Sequence, residues 1–330
     1  MNVLVTGGAG FIGSYVVREL IKAGETVIAY DFQISRNALD DVLSEAQRSM
    51  VHMVEGDVTD GAKIRNVIDE YKIESVAHLA SPLSSQTEGD TGLAIRNMIT
   101  AQQVILEIAG AARLRKVVWA SSSGVYGARE RYTFLPLPND APQYPTYLYG
   151  ACKSFNEYLS TYLSEKYDLD TLGLRFPTVY GVGRKRGVAM YLSDIIAKPA
   201  LGELCRVPMA NAVYNWLYVV DAALLVVKAL RTERTPTRNF NVSSEVAAIR
   251  RVVKIIRELL PNARFELEPG GYPIVAEIDC SVLKDEVGFT PQWTLRRALY
   301  ESINIVRDRA GLQPLAEVDG AFSTKGVVNA

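Results

Sequence analysis

The strongest constraint on the fold lies at the N-terminus. A short apolar run over residues 2–6 enters Gly7-Gly8-Ala9-Gly10-Phe11-Ile12-Gly13, and a helical pattern follows at once in Tyr15-Val16-Val17-Arg18-Glu19-Leu20-Ile21. A glycine triplet alone says little, but between a strand and a helix it becomes informative. Glycines let the backbone turn tightly and approach a pyrophosphate, whose charge then rests on the helix N-terminus. Gly7, Gly10 and Gly13, with Phe11 and Ile12 at the helix start, are thus candidate dinucleotide contacts. The next strand, 26–30, ends in Asp31. An acid about 20 residues past the glycines can accept hydrogen bonds from the ribose hydroxyls and repel a 2′-phosphate, which favours NAD over NADP. Arg36 is the nearby cation that works against that preference.

The pattern then repeats. A strand over 52–55 closes on Gly56-Asp57-Val58, which places Asp57 and Val58 at a strand end with the adenine nearby; a helix over 63–71 and a strand over 75–79 lead into Ala80-Ser81-Pro82. A helix over 93–111 and a strand over 115–120 follow. Such alternation predicts an α/β, doubly wound parallel sheet of the Rossmann kind, with ligand at the carboxyl ends of the strands. Asp57, Ser81 and Asn97 then serve either as ligand contacts or as ordinary caps and turn residues. The fifth strand runs into Ser121-Ser122-Ser123-Gly124-Val125-Tyr126-Gly127, and a helix over 147–167 carries Tyr149-Gly150-Ala151-Cys152-Lys153 before a strand at 171–175. At i and i+4 the tyrosine and lysine share a helix face, so the ammonium is placed to favour phenolate over phenol. A group with a reference pKa near ~10 then becomes a plausible proton acceptor at neutral pH, although the same spacing also arises as a plain amphipathic edge.

Beyond residue 180 the signals weaken. Helices are expected over 190–213, 221–230, 246–260, 281–287 and 295–309, with strands at 240–242 and 264–267. This divides the chain into a dinucleotide domain over 1–180, a smaller C-terminal substrate lobe over 181–313 from which a late strand near 239–242 returns to the sheet, and a small, polar tail over 314–330. Trp216, Tyr218 and Trp293 are expected in the core.

Composition narrows the function classes. With 330 residues, 48% hydrophobic and 22% charged at a formal net charge of -1, the chain has no basic field for nucleic acid and no acidic tail. Cys152, Cys205 and Cys280 show no paired spacing, and His52 and His78 lie in no acidic or cysteine cluster. No disulfide framework and no metal site are therefore expected, and the reduced thiols point to a cytoplasmic protein. No signal peptide or membrane-spanning run is evident.

Taken together, several motifs resemble one family. Thr6-Gly7-Gly8-Ala9-Gly10-Phe11-Ile12-Gly13, Asp31, Gly56-Asp57-Val58, His78-Leu79-Ala80, Asn97, Ser121 to Gly127, Tyr149 to Lys153 and Leu174-Arg175-Phe176-Pro177-Thr178-Val179-Tyr180-Gly181 occur in the order found in the extended short-chain dehydrogenases/reductases, in the branch of NAD-dependent sugar epimerases and dehydratases. The resemblance implies Tyr149 as general acid/base and Lys153 as the group that holds the ribose and lowers the tyrosine pKa. It implies Ser122, with Ser123 as the alternative register, steadying the reacting oxygen. Leu79, Ala80, Ser81, Asn97, Phe176 and Thr178 would line the NAD site, and Ser81, Ser122, Ser123, Thr178 and Arg184 would face a carbohydrate-like substrate. A homodimer through the helices 93–111 and 147–167 is also implied.

Departures from the pattern restrict the substrate. Dehydratases of this branch carry Thr-Asp-Glu where Ser122-Ser123-Gly124 stands, so elimination of water is not expected. Nucleotide-sugar epimerases usually carry an asparagine at the place of Thr178 and an arginine near Tyr214, and a tyrosine cannot replace a guanidinium on a diphosphate. The glycine-flanked Arg184-Lys185-Arg186 either clamps an anion or forms a solvated turn, the turn being the more ordinary use. What remains is NAD-dependent oxidation or reduction at a secondary alcohol or ketone of a sugar, sugar acid or small polyol. Epimerisation with the same residues is the alternative, and a non-catalytic NAD sensor is a third reading.

Overall fold

Alternate residues of the first strands part to opposite faces of one sheet. Val3, Val5, Val27 and Ala29 enter one core cluster, while Leu4, Ile28 and Tyr30 enter a second. This is how a strand buried on both faces behaves, and it explains the nearly continuous apolar runs. The computed structural model describes residues 1–34, 39–82, 84–184 and 190–316. Six strands follow in chain order: β1 (Asn2–Thr6), β2 (Thr26–Asp31), β3 (Val51–Glu55), β4 (Ser75–His78), β5 (Lys116–Ser122) and β6 (Thr171–Phe176). Next come β7 (Thr178–Tyr180), β8 (Leu204–Val207), β9 (Val213–Tyr218), β10 (Asn239–Asn241), β11 (Glu245–Ala248) and β12 (Arg264–Leu267).

The main sheet has the order β10-β6-β5-β4-β1-β2-β3, and all its pairings are parallel. It is the Rossmann-like sheet expected from the alternation. Chain direction across the sheet reverses between β1 and β4, the place where the strand ends leave a crevice for a ligand. Helices Phe11–Lys22 and Val219–Arg231 pack together on one face, and Gly61–Glu70, Ala101–Ala111 and Leu148–Tyr167 cover the other. A three-stranded sheet, β11-β9-β7, and a two-stranded one, β12-β8, stand beyond the cleft.

Three helical expectations are corrected. Residues 190–213 form a helix only over Met190–Ala200; the chain turns at Gly202, whose φ is +77°, and Leu204–Val207 becomes a strand with alternating exposed and buried residues. Residues 246–260 begin with β11, because pairing with β9 captures Glu245–Ala248 before the helix Ile249–Leu259 starts. Residues 93–111 are not one regular helix but a short helix, a π-helical stretch over Ile95–Thr100 and the helix Ala101–Ala111. There Asn156 donates Nδ2 to the Met98 carbonyl at 2.9 Å, taking an acceptor that a regular helix would use itself. Trp216 and Tyr218 are 1% exposed, and Trp293 packs against the core, as expected. Arg36, Lys185, Arg186 and the tail from residue 317 onward lie outside the described residues.

Candidate active site

At the switch point the chain leaves β1 through a turn that only glycine allows. Gly7 has φ +71°, and a side chain there would bring its Cβ to 2.7 Å from the Ala80 amide nitrogen; one on Gly13 would lie 2.0 Å from the Gly7 carbonyl oxygen. The turn is held by Gly7 N–H donating to Tyr30 O at 2.8 Å and by Gly10 N–H donating to Gly7 O at 3.0 Å. Gly10 caps the helix Phe11–Lys22 without a side-chain acceptor, so the first amide groups of that helix face the cleft unspent. Asp31 Oδ2 accepts from Ala9 N–H at 3.1 Å, which ties the acid to the glycine turn at the end of β2. A cleft of about 1300 Å³ opens here, and its walls include Gly7, Gly10, Phe11, Ile12, Gly13, Asp31, Asp57, Val58, Leu79, Ala80, Ser81 and Asn97. Glycine cradle, uncapped helix and strand-end acid together fit a dinucleotide.

Asp57 takes the turn role that the sequence allowed, at the wall of the cleft. Its Oδ1 accepts from Thr59 N–H and Thr59 Oγ1 at 2.8 Å each, an ordinary turn-capping role, and the residue still lines the cleft. His78 is buried and serves the fold, with Nδ1 2.7 Å from Thr6 Oγ1; burial, followed by the Lys153 charge, pushes its pKa down to about 3, so it stays neutral.

The remaining predicted residues come from three separate segments. Ser122 closes β5 and Ser123 opens the turn after it, Tyr149 and Lys153 lie on the first turns of Leu148–Tyr167, and Phe176 and Thr178 follow from β6 into β7; all line the same cleft. The helix Leu148–Tyr167 has no side-chain cap of its own, and Glu88 Oε1 supplies one by accepting from Tyr149 N–H at 3.1 Å. Lys153 is 4% exposed, donates Nζ to the Ala120 carbonyl at 2.6 Å, and lies 5.5 Å from the centroid of the Tyr149 ring. Ser122 Oγ accepts from Gly124 N–H at 3.0 Å, a bond that fixes its rotamer at the strand end.

The electrostatics differ from the sequence expectation. Burial raises the Tyr149 pKa, and the groups that oppose this are Ser81, the Arg184 guanidinium and Ser122, not Lys153. Lys153 is itself lowered to about 8 by burial. Its ammonium is committed to the Ala120 carbonyl and sits beside the ring, so the phenol keeps its proton. Arg184 also departs from the expected solvated turn. It lies in the cleft wall, donating Nη2 to Val179 O at 2.9 Å, with Cζ 5.2 Å from the Phe11 ring centroid.

Sequence reasoning missed what stands behind the site. Glu157 is 5% exposed and accepts from Ser121 Oγ at 2.6 Å, from Arg175 Nε at 2.9 Å and Nη2 at 2.8 Å, and from Gln143 Nε2 at 2.7 Å. It follows Lys153 by four residues as Lys153 follows Tyr149, and an acid on that same buried face was the available signal. Tyr147, Tyr214 and Tyr272 line the cleft as well; Tyr214 stacks on Tyr272 at 5.5 Å, and its hydroxyl lies 2.5 Å from that of Tyr191. No spacing in the sequence joins these residues.

Comparison with known proteins places this arrangement among related ones. Residues 3–243 match the model of the NAD dependent epimerase/dehydratase family. A UDP-glucose 4-epimerase of Corynebacterium glutamicum is 28% identical over 321 residues, 91% of this chain and 94% of that protein. A D-erythronate dehydrogenase of Cupriavidus necator is 32% identical over 232 residues, 68% of this chain and 70% of that protein. Among solved structures, the UDP-glucose 4-epimerase of Thermotoga maritima shares the fold with a TM-score of 0.83 at 23% identity, over 94% of this chain and all (100%) of that one.

Proposed function

The chain belongs to the NAD-dependent epimerase/dehydratase family, and from that membership we propose that it oxidises or reduces a secondary alcohol or ketone of a small polyol or sugar acid, with Tyr149 as general acid/base. It is an NAD-dependent enzyme of the extended short-chain dehydrogenase/reductase type. The carrying observation is the convergence of Ser122, Tyr149 and Lys153 in the cleft that the glycine turn and Asp31 also line.

NAD would be held by the turn and uncapped helix at its diphosphate, by Asp31 at the adenosine ribose and by Lys153 at the second ribose; bound there, it supplies the acceptor or donor of hydride. The protein supplies a proton path. Tyr149 Oη, as the phenol, donates its proton to the carbonyl oxygen in reduction and, as the phenolate, accepts the hydroxyl proton in oxidation. Ser122 Oγ orients the same oxygen. Lys153, an ammonium below pH about 8, sits beside the ring and is placed to hold the ribose rather than to lower the phenol pKa.

A small substrate is supported by the lining of the cleft. Among the described lining residues the cations are Lys153 and Arg184, and the part of the wall contributed by the C-terminal residues carries Tyr214 and Tyr272, the former bonded to Tyr191. A nucleotide diphosphate needs positive charge there. The similarity to a dehydrogenase of a four-carbon sugar acid agrees with this. The second reading, epimerisation of a nucleotide sugar, is supported by the similarity over nearly full length to a UDP-glucose 4-epimerase. Turnover of added NAD with a panel of sugar acids, polyols and UDP-sugars separates the two, since an epimerase retains its cofactor and accumulates no NADH. Tyr149→Phe should keep NAD binding and lose at least ~100-fold in turnover; unchanged turnover would remove the phenol from the mechanism.

The assembly proposed is a homodimer. Phe155, Tyr158 and Tyr162 are 48%, 73% and 54% exposed along one face of Leu148–Tyr167, with Ile95 exposed as well. A second copy laying the same helix face against them would cover these rings. Sedimentation should give twice the chain mass, and Tyr158→Glu should halve it. No helix among the described residues is long and apolar enough to cross a membrane, and a cytoplasmic location suits the free thiols of Cys152, Cys205 and Cys280.

A further inference from the structure

Among the described residues, the guanidinium groups of Arg175 and Arg184 are largely shielded from solvent, and they are treated differently. Arg175 is matched by Glu157 through two nitrogens and further bonded to Tyr126 Oη and Asn139 O. Arg184 has one carbonyl, Val179 O, and no carboxylate among the described residues, while its Nε is shut off from solvent without an acceptor. A cation withdrawn from water is costly unless an anion accompanies it. Fold stability alone therefore gives no reason for the charge to be there.

Its surroundings indicate the kind of partner it suits. Arg184 lies over the Phe11 ring, the first residue of the helix whose N-terminus at Gly10 has no side-chain cap. Two positive features, the unspent helix amides and the guanidinium, thus flank one aromatic ring at the wall of the cleft. The guanidinium also acts on the Tyr149 phenol from this position, which places it within electrostatic reach of the reacting oxygen. Phe11 supports the planar group in the cleft wall, where a guanidinium nitrogen other than Nε can meet an oxyanion.

We propose that Arg184 is an oxyanion-binding residue of the cleft, its partner being either the diphosphate of the dinucleotide or a carboxylate of the substrate. The assignment rests on the reading of the cleft as the NAD site given above. It makes Arg184 a binding residue beside the helix that starts at the glycine turn.

Calorimetric titration of wild type, Arg184→Lys and Arg184→Met with NAD, ADP-ribose and adenosine tests this, followed by titration of malonate, a plain dicarboxylate probe, into the NAD-saturated proteins. Arg184→Met removes no ion pair and keeps an apolar group over Phe11, so it should melt no lower than wild type. If the partner is the diphosphate, Arg184→Met weakens NAD and ADP-ribose by about tenfold to a hundredfold, leaves adenosine unchanged, and Arg184→Lys restores part of the loss. If the partner is a substrate carboxylate, ADP-ribose is unaffected and malonate binding seen with wild type disappears in Arg184→Met. ADP-ribose binding that ignores residue 184, together with no malonate binding that depends on it, overturns the assignment alone. Wild-type protein that binds neither NAD nor ADP-ribose overturns the function proposed above and this assignment with it.

Discussion

Replacing Glu157 by glutamine should be among the most damaging single-atom changes available in this protein, although the residue never touches the cleft. Its two oxygens accept four hydrogen bonds, from Ser121, from two nitrogens of Arg175 and from Gln143. A glutamine amide offers one oxygen, and its NH2 group would face donors that the carboxylate satisfied. Gln143 can turn its own amide around, but the guanidinium of Arg175 cannot become an acceptor. One member of a buried ion pair is thereby left without its counter-charge, which costs about 3–5 kcal/mol. With an unfolding entropy of about 2.1 cal/mol/K per residue, a 330-residue chain has roughly 0.7 kcal/mol/K at its midpoint, so Tm should fall by about 4–7 °C. Scanning calorimetry with a parallel urea titration reads this directly. The double variant Glu157→Leu with Arg175→Met, which removes both charges, should recover much of the loss. A Tm change below about 1 °C in Glu157→Gln would refute the claim that the pair is buried and mutually dependent. Because Ser121 adjoins Ser122 and Glu157 lies one turn beyond Lys153, turnover should fall alongside stability.

Two further outcomes follow from the site. Asp31→Ser should raise the NADP-to-NAD ratio of kcat/KM at least ~10-fold by removing the charge that repels a 2′-phosphate, and a ratio that stays put would take the ribose contact away from Asp31. Lys153 has a folded pKa near 8, below its unfolded value, so between pH about 8 and ~10.4 the unfolded chain holds the extra proton and this residue's contribution to stability rises with pH. NAD affinity should run the opposite way, declining as the ammonium is lost above about pH 8; Lys153→Met should show neither trend, and calorimetry across pH 7–10 on both proteins checks it.

Most of the sheet was legible because its signals are local. The strands at 2–6 and 26–30 are mostly apolar and rich in β-branched residues, the helix that follows the glycine turn has regular periodicity, and the glycines at 7 and 13 sit where backbone geometry admits little else. The lobe was less legible. Glu245–Ala248 has no intrinsic preference for a strand that outweighs the helix next to it, and only the open edge of β9 decides its state. Likewise the π-helical stretch at Ile95–Thr100 depends on Asn156, more than fifty residues away along the chain.

The candidate site divides in the same manner. Local order along the chain singled out the candidates: a glycine turn between strand and helix, an acid at the end of the second strand, and a tyrosine and lysine one helical turn apart. Tertiary structure alone decided their charge states and neighbours. Desolvation and Coulomb energy depend on what surrounds a group in space, so burial rather than Lys153 governs the Tyr149 phenol, and Arg184 lies against Phe11 from the far end of another strand.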